Sequence, residues 1–336
     1  MRETMKKQAF QDLRSIQLYI IITMINNSNF AFIHAELSCL EICMDNVKYE
    51  VFLEVVRTGS FTAAAQEYGY TQSGVTRVIT SLEQEFGFEL FVRSKKGAAL
   101  TENGKTMLGP IRNLVNASRL VHQMSDDING LVTGHLTIGA YYSITTTLLP
   151  TILRKFKALY PGVSIRLLKG GNQEMSQWLA DNSVDCCLCG ELPGSTPLRW
   201  IPLFRDEMLA LLPPDHPFAD AEVFPIDQLA YEDLIMTAPN HDTDQDRVLM
   251  RAGIKPNITF ATQDCYATYK MVDAGLGISF EQGLLSQEWE GNVRHVPFMP
   301  PQYVSLGVAI PLKANLTPAT ERFIQCVKEE LEAKQF

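Results

Sequence analysis

The sequence predicts an α/β multidomain protein with a winged helix-turn-helix near its start, then a long linker helix, then a larger C-terminal α/β domain. Three observations carry this expectation. Between Tyr49 and Gly104, apolar residues recur at helical spacing and are punctuated by single glycines. From Met107 to Ile128 a mainly apolar stripe, with Ser118 in it and one gap at Ser125, follows alternating steps of four and three residues. Beyond His135, short apolar runs alternate with amphipathic stretches, the pattern of strands and helices around a mostly parallel sheet.

Composition fits several domains. A chain of 336 residues is longer than one average domain, and 46% apolar with 20% charged residues builds cores rather than disorder. Seven cysteines without paired spacing suit a reducing compartment better than a disulfide framework. Cys186, Cys187 and Cys189 look like a metal box, but on a strand successive side chains point to opposite faces, so buried strand cysteines are expected there. The formal charge of −9 excludes a protein coated in basic surface.

Element by element, Tyr49, Phe52, Leu53 and Val56 form the stripe of a first helix. Ser60 or Thr62 can cap a second, in which Ala63, Ala64 and Ala65 combine high helix propensity with the small bulk that a close helix crossing needs. Gly69 can end it in a left-handed conformation. A third helix begins near Gln72, with Val75, Val78, Ile79, Leu82 and Phe86 facing inward. Its other face carries Gln72, Ser73, Thr76, Arg77 and Thr80, placed either to read base edges and grip phosphates in a major groove or simply to meet water. Arg93, Lys95 and Lys96 make a basic tip where a wing would touch phosphates, which answers locally for the overall acidity.

This ordered pattern resembles the LysR-type transcriptional regulator family. The resemblance rests on Gly59-Ser60-Phe61-Thr62 with Ala64-Ala65, Gln72-Ser73 with Val75-Thr76, Leu82-Glu83, Phe86-Gly87, Leu90-Phe91 with Arg93, and Leu100-Thr101 with Gly104. Gly74 and Thr76 stand where the family usually has alanine and serine, and Phe86 replaces a leucine. The resemblance implies a DNA-binding domain over 44–102, with Ser60, Thr62, Gln72, Ser73, Thr76, Arg77, Thr80, Arg93, Lys95 and Lys96 as candidate DNA contacts.

Residues 1–43 lie outside the family pattern, whose first helix begins close to the initiator. The apolar run from Ile16 to Ile25 is too short to span a bilayer, and Asn26-Asn27-Ser28-Asn29 is no small-residue cleavage site. The expectation is that Met44 is the physiological start, with a weakly ordered interaction arm or membrane-surface arm as the alternative. A mature protein that begins at Met1 on N-terminal sequencing would refute the first of these.

For the linker, assigned to 103–133, Thr101 can cap a helix reaching about Ile128. Met107, Ile111, Leu114, Ser118, Val121 and Ile128 approximate a coiled-coil seam, and Pro110 should kink it. The stripe could instead pack on its own domain. By resemblance it is the helix through which two chains pair.

With His135-Leu136-Thr137-Ile138-Gly139, Tyr160-Pro161-Gly162-Val163, Pro214-Asp215-His216-Pro217-Phe218 and Met271-Val272-Asp273-Ala274-Gly275-Leu276-Gly277-Ile278, the region 134–336 resembles the effector domain of the same family. The resemblance implies two α/β subdomains, about 134–203 with 304–336 and about 204–303, joined by two crossing strands like a type 2 periplasmic binding protein, with a small-molecule effector in the cleft. Ser143, Ile144 and Thr145 follow the first strand and open a helix suited to an anion or carboxylate; Gly171 and Asn172 follow the second strand, and Thr237 and Gln263 sit at corresponding strand ends of the second subdomain. Asp242 to Asp246 imitates a calcium loop, but Arg247 and Gly253 stand where glycine and glutamate are required, so a helix start is expected. Asp185 is read as structural, and His216 lacks an activating partner at useful spacing.

The expected protein is a cytoplasmic transcription factor with no enzymatic activity and no cofactor. It would bind double-stranded DNA at a dyad-symmetric site as a homodimer or homotetramer, answer to a small-molecule effector, and have RNA polymerase as a further candidate partner and no membrane association. The alternative is a solute-binding receptor of the same two-lobed fold without a DNA role, for which the Gln72-to-Thr101 block would have no use.

Overall fold

The computed structural model describes residues 46–94, 97–192, 194, 198–286, 288–312 and 315–334. The expectations for residues 1–43 and for Lys95 and Lys96 fall outside the described residues. The chain divides into two compact units, one up to Val115 and one from Asn116.

In the first unit, α1 covers residues 46–58, α2 runs Phe61–Tyr68 and α3 runs Gln72–Phe86. Of the two candidate caps it is Ser60 that caps α2, its hydroxyl accepting from Ala63 N, while Thr62 lies exposed on the helix. Gly69 ends α2 at φ 66°, and Thr71 caps α3 by accepting from Gly74 N. The antiparallel hairpin β1 (Phe91–Ser94) and β2 (Gly97–Leu100) is the wing, with Phe91 opposite Leu100. Glu83 Oε1 accepts from Leu90 N at 2.8 Å and from Phe91 N at 3.2 Å, tying α3 to the wing. Phe52, Phe61, Ala64, Val75, Ile79, Leu82, Leu90, Phe91 and Ile111 close one apolar core. Ala64 and Ala65 are both buried, the close packing that the alanine run foretold.

Helix α4 runs Glu102–Ile128 and contains Pro110. Thr101 caps it, accepting from Gly104 N at 2.9 Å. Its apolar stripe divides in two. Ile111 and Val115 are buried, whereas Leu114, Val121 and Ile128 are 46%, 66% and 84% exposed. The first part of the stripe completes a core within the chain, and the later part faces outward.

The second unit is built on a seven-stranded sheet of order β10-β6-β11-β5-β3-β4, with β7 (Phe224–Pro225) beside β11; it is mixed rather than mostly parallel, because β6 pairs antiparallel with β10 and β11, and β11 with β5. Strands β3 (Gly134–Ala140), β4 (Val163–Lys169) and β5 (Cys186–Gly190) are parallel, with β3 central. Between them lie α5 (Tyr142–Thr147), α6 (Leu149–Leu159) and α7 (Asn172–Ala180). The long strands β6 (Leu198–Leu212) and β11 (Arg294–Pro311) pair antiparallel over nearly their whole length, from Arg294 opposite Leu212 to Pro311 opposite Leu198. They carry the chain from one lobe to the other. In the second lobe β8 (Asp233–Thr237) and β9 (Asn257–Thr262) pair in parallel, β10 (Ser279–Gln282) joins β6, and α8 (Asp244–Ala252), α9 (Cys265–Asp273) and α10 (Gly283–Ser286) complete it. The terminal helix α11 (Pro318–Lys334) returns to the first lobe, where Phe323 meets Phe156 edge-on.

Cys186, Cys187 and Cys189 are all buried in β5. Asp185 accepts from Thr137 N at 2.7 Å and donates its own N–H to Thr137 O, and burial raises its carboxyl to about 6. It stitches two strand ends. Asp242 to Asp246 indeed starts a helix, with Thr243 and Asp246 forming a reciprocal cap. His216 does find a carboxylate in space, Glu232 at 3.4 Å, and it packs among Phe218 and Phe224.

Candidate functional site

Two regions concentrate exposed or strained polar groups. On α3 the buried side is Val75, Ile79 and Leu82, and the opposite side presents Gln72, Ser73, Arg77 and Thr80 to solvent with Thr76 half-buried. Gln72 Nε2 lies 3.4 Å from Thr76 Oγ1, and Thr71 Oγ1 lies 3.0 Å from Ser73 Oγ, so this face is a patch of linked donors and acceptors at a capped helix start. Arg93 lies on β1 opposite Ala98. Ser60 has its hydroxyl engaged as a helix cap.

The second region is the junction of the two lobes. Tyr141 donates its hydroxyl to Asn172 Oδ1, and Asn172 Nδ2 donates to Asp242 O, so Asn172 bridges the first lobe to the second. Ser143 and Ile144 are buried at the start of α5, and Thr145 donates to Tyr141 O at 2.8 Å. Its hydroxyl proton is thus committed to its own helix. Gly171 is exposed, with its N–H held by Glu174. Thr237 lies at the end of β8, where its hydroxyl is 2.8 Å from that of Thr268, itself 2.7 Å from Thr262. Gln263 is exposed beyond β9. The structure therefore sets Asn172 on the junction and ties Thr145 to Tyr141, the hydrogen-bond partner of Asn172, but holds Thr237 in a separate hydroxyl chain.

Sequence reading missed the acidic groups of this junction. Asp244 Oδ2 accepts from Gln282 Nε2 at 2.7 Å, Asp206 accepts from Leu284 N at 3.1 Å, and Glu281 accepts from Gln282 N at 2.9 Å. Burial pushes Glu281 up to about 7 and Asp206 up to about 6, and the neighbouring Asp244 adds to both. Asp244 is itself raised by burial, opposed by Arg247. Arg247 grips Asp242 with two N–H groups, at 2.8 and 2.6 Å, and donates to Glu191 O at 2.6 Å, a second bridge between lobes. Only the acidic start of α8 hinted at this, because Asp206, Asp244 and Glu281 come from three separate segments. Beside them opens a pocket of about 460 Å³ lined by Glu191, Asp242, Asp244, Arg247, Arg251 and Tyr303 among others. No described helix is long and apolar enough to cross a membrane.

A capped, polar-faced helix in a winged unit, followed by a two-lobed α/β unit with a polar junction, defines a helix-turn-helix regulator with an attached sensor domain. Comparison with known proteins agrees. Residues 48–105 match the bacterial regulatory helix-turn-helix protein family of the lysR type, and residues 129–332 match the LysR substrate binding domain. The HTH-type transcriptional regulator cbl of Escherichia coli (strain K12) is 31% identical over 248 residues, 69% of this chain and 78% of that protein. YvbU of Bacillus subtilis (strain 168), an uncharacterized HTH-type transcriptional regulator, is 26% identical over 85% of this chain and 98% of its own. Among solved structures, full-length OxyR from Pseudomonas aeruginosa superposes with a TM-score of 0.69 at 18% identity, covering 85% of this chain and 94% of that one. CbnR complexed with its target DNA gives 0.60 at 18% identity over 85% and 99%. The chain belongs to the LysR family of transcriptional regulators.

Proposed function

We propose that this regulator reads a dyad-symmetric DNA site with α3 and answers to a small molecule held between the lobes of its C-terminal unit. The observation that carries the DNA role is the polar outer face of α3, whose start is fixed by the Thr71 cap while Val75, Ile79 and Leu82 anchor its other side. Gln72, Ser73, Thr76, Arg77 and Thr80 are placed for base edges and nearby phosphates, with Ser60, Thr62, Arg93, Lys95 and Lys96 as flanking contacts. The exposed Leu114, Val121 and Ile128 on α4 support pairing of two chains, in a dimer or tetramer. Asn172, which bridges the two lobes, supports a ligand at their junction, with Ser143, Ile144, Thr145, Gly171, Thr237 and Gln263 as the further candidate contacts. The protein works in the cytoplasm, without enzymatic activity, and RNA polymerase is a further candidate partner.

The test is DNA binding by the chain from Met44 onward, against its own upstream region at two salt concentrations. Site-selective, salt-sensitive binding is the expected result. Arg77→Ala should weaken it about 10- to 100-fold, equivalent to about 1–3 kcal/mol, with the melting temperature unchanged. Replacing Lys95 and Lys96 should lower the salt slope on every sequence alike. Absence of DNA binding would leave a receptor of the same fold as the surviving reading.

A further inference from the structure

One side-chain oxygen ties α3 to the wing. Glu83 Oε1 accepts from Leu90 N at 2.8 Å and from Phe91 N at 3.2 Å, where the chain enters β1. The backbone carbonyl of the same residue accepts from Gly87 N at 2.9 Å and from Phe88 N at 3.2 Å. Glu83 therefore closes the end of α3 and also catches the chain as it returns through Gly87, at φ 78°. It stands about three turns after Gln72, so it lies on the same side of α3 as Gln72 and Thr76. The other attachments of the hairpin lead elsewhere. Ala98 N donates to Gly59 O at 2.7 Å in the turn between α1 and α2. Thr101, at the start of α4, donates to Glu89 O at 2.8 Å and to Leu90 O at 3.0 Å. The Phe91 ring packs between Phe52 and Phe61.

A carboxylate on the side of α3 read as facing DNA is repelled by phosphates, so its presence there calls for a compensating role. Two N–H groups held by one charged oxygen supply that role. Such bonds are stronger than neutral ones, and they fix a direction as well as a distance. We propose that Glu83 is a positioning residue for DNA recognition. By holding Leu90 and Phe91 it sets the separation between α3 and the wing. The basic tip at Arg93, Lys95 and Lys96 then meets phosphates while α3 meets base edges. This rests on the reading of α3 and the wing tip as the DNA contacts. Glu83 itself makes no contact with DNA and acts through the hairpin alone.

Titration of the full chain with its own upstream DNA, followed by fluorescence anisotropy over a range of salt concentrations, tests the proposal. Glu83→Ala should weaken binding about 10-fold or more and lower the salt slope by about 1–3, the share of the wing cations. Glu83→Gln, whose amide oxygen can accept the same two N–H groups, should stay within about 3-fold of wild type. In a chain carrying Arg93→Ala, Lys95→Ala and Lys96→Ala, adding Glu83→Ala should cost less than about 3-fold, because the tip that it positions has lost its charge. Should Glu83→Ala not fold, as judged by its melting curve, Glu83→Asp takes its place, keeping the charge but drawing the oxygens back by one methylene. An equal loss in the charged and the neutral-tipped chains, or a loss that Glu83→Gln shares, would overturn the positioning role. A neutral-tipped chain that binds as tightly as wild type would overturn it too, by removing the wing from the interface. In that case α3 remains the DNA contact if Arg77→Ala still weakens binding.

Discussion

Gly104→Ala should strongly destabilise the N-terminal unit and weaken DNA binding with it. A Cβ at Gly104 would stand 2.2 Å from Leu90 O, 3.1 Å from Leu90 C and 2.9 Å from Leu100 Cδ2. The first two are backbone atoms that cannot swing aside. Leu90 is held from both sides, its N–H by Glu83 and its carbonyl by Thr101 N at 3.0 Å. Relief requires α4 to move off the wing, opening the core that Ile111 completes. Overpacking of this kind costs about 1–3 kcal/mol and more where the neighbour is fixed, so a loss of at least about 3 kcal/mol is expected. That is a large share of a small domain's stability. Gly109→Ala, in the same helix, meets nothing within 4 Å and should be neutral or stabilising by up to about 1 kcal/mol. Urea unfolding of the two variants gives the comparison. Equal midpoints would mean that α4 does not approach Leu90 as described.

Glu281→Gln should stabilise the protein at pH 8 and have little effect at pH 5. Burial and the neighbouring Asp244 and Asp206 raise the folded-state value from 4.5 to about 7. In the unfolded chain this carboxyl ionises near its ordinary value, so between about 4.5 and 7 the folded state binds more protons. Stability therefore falls as pH rises through that window and is lowest above it. The raised value corresponds to roughly 3 kcal/mol as an upper limit, less for a side chain that is only half-buried. Asp206, raised to about 6, acts in the same direction over a lower window. Glutamine keeps an oxygen for Gln282 N and removes the charge. Melting curves of wild type and variant at the two pH values should separate by several degrees at pH 8 only. A shift of the same size at pH 5 would show that the gain comes from packing rather than from ionisation.

What could be read from the chain alone follows the range of the forces involved. The turns at Gly69 and Gly87, the caps at Thr71 and Thr101 and the inner stripe of α3 are local, and local spacing reveals them. The strand-helix alternation after His135 is likewise regular, and its elements lie where the periodicity puts them. The linker was half legible. Its stripe is real, but a spacing rule cannot show that Ile111 is used inside the chain while Val121 is left outside. The lobe junction was least legible. Asn172 can be singled out because it follows a strand end; Asp206, Asp244, Glu281 and Gln282 cannot, since only the pairing of β6 with β10 and the placement of α8 bring them together. Their chemistry exists only in three dimensions.

Strands β6 and β11 give the sensor unit an unusual modularity. Each belongs to both lobes, and α11 returns to the lobe where the unit began. A protease cut in the loops of the second lobe would leave fragments still zipped together along these strands. For the same reason, two regulators of this architecture cannot trade a first lobe by a single crossover: the genetic exchange needs two separate segments. Ligand preference in such proteins should therefore drift by point substitution at the junction far more readily than by the shuffling of whole lobes.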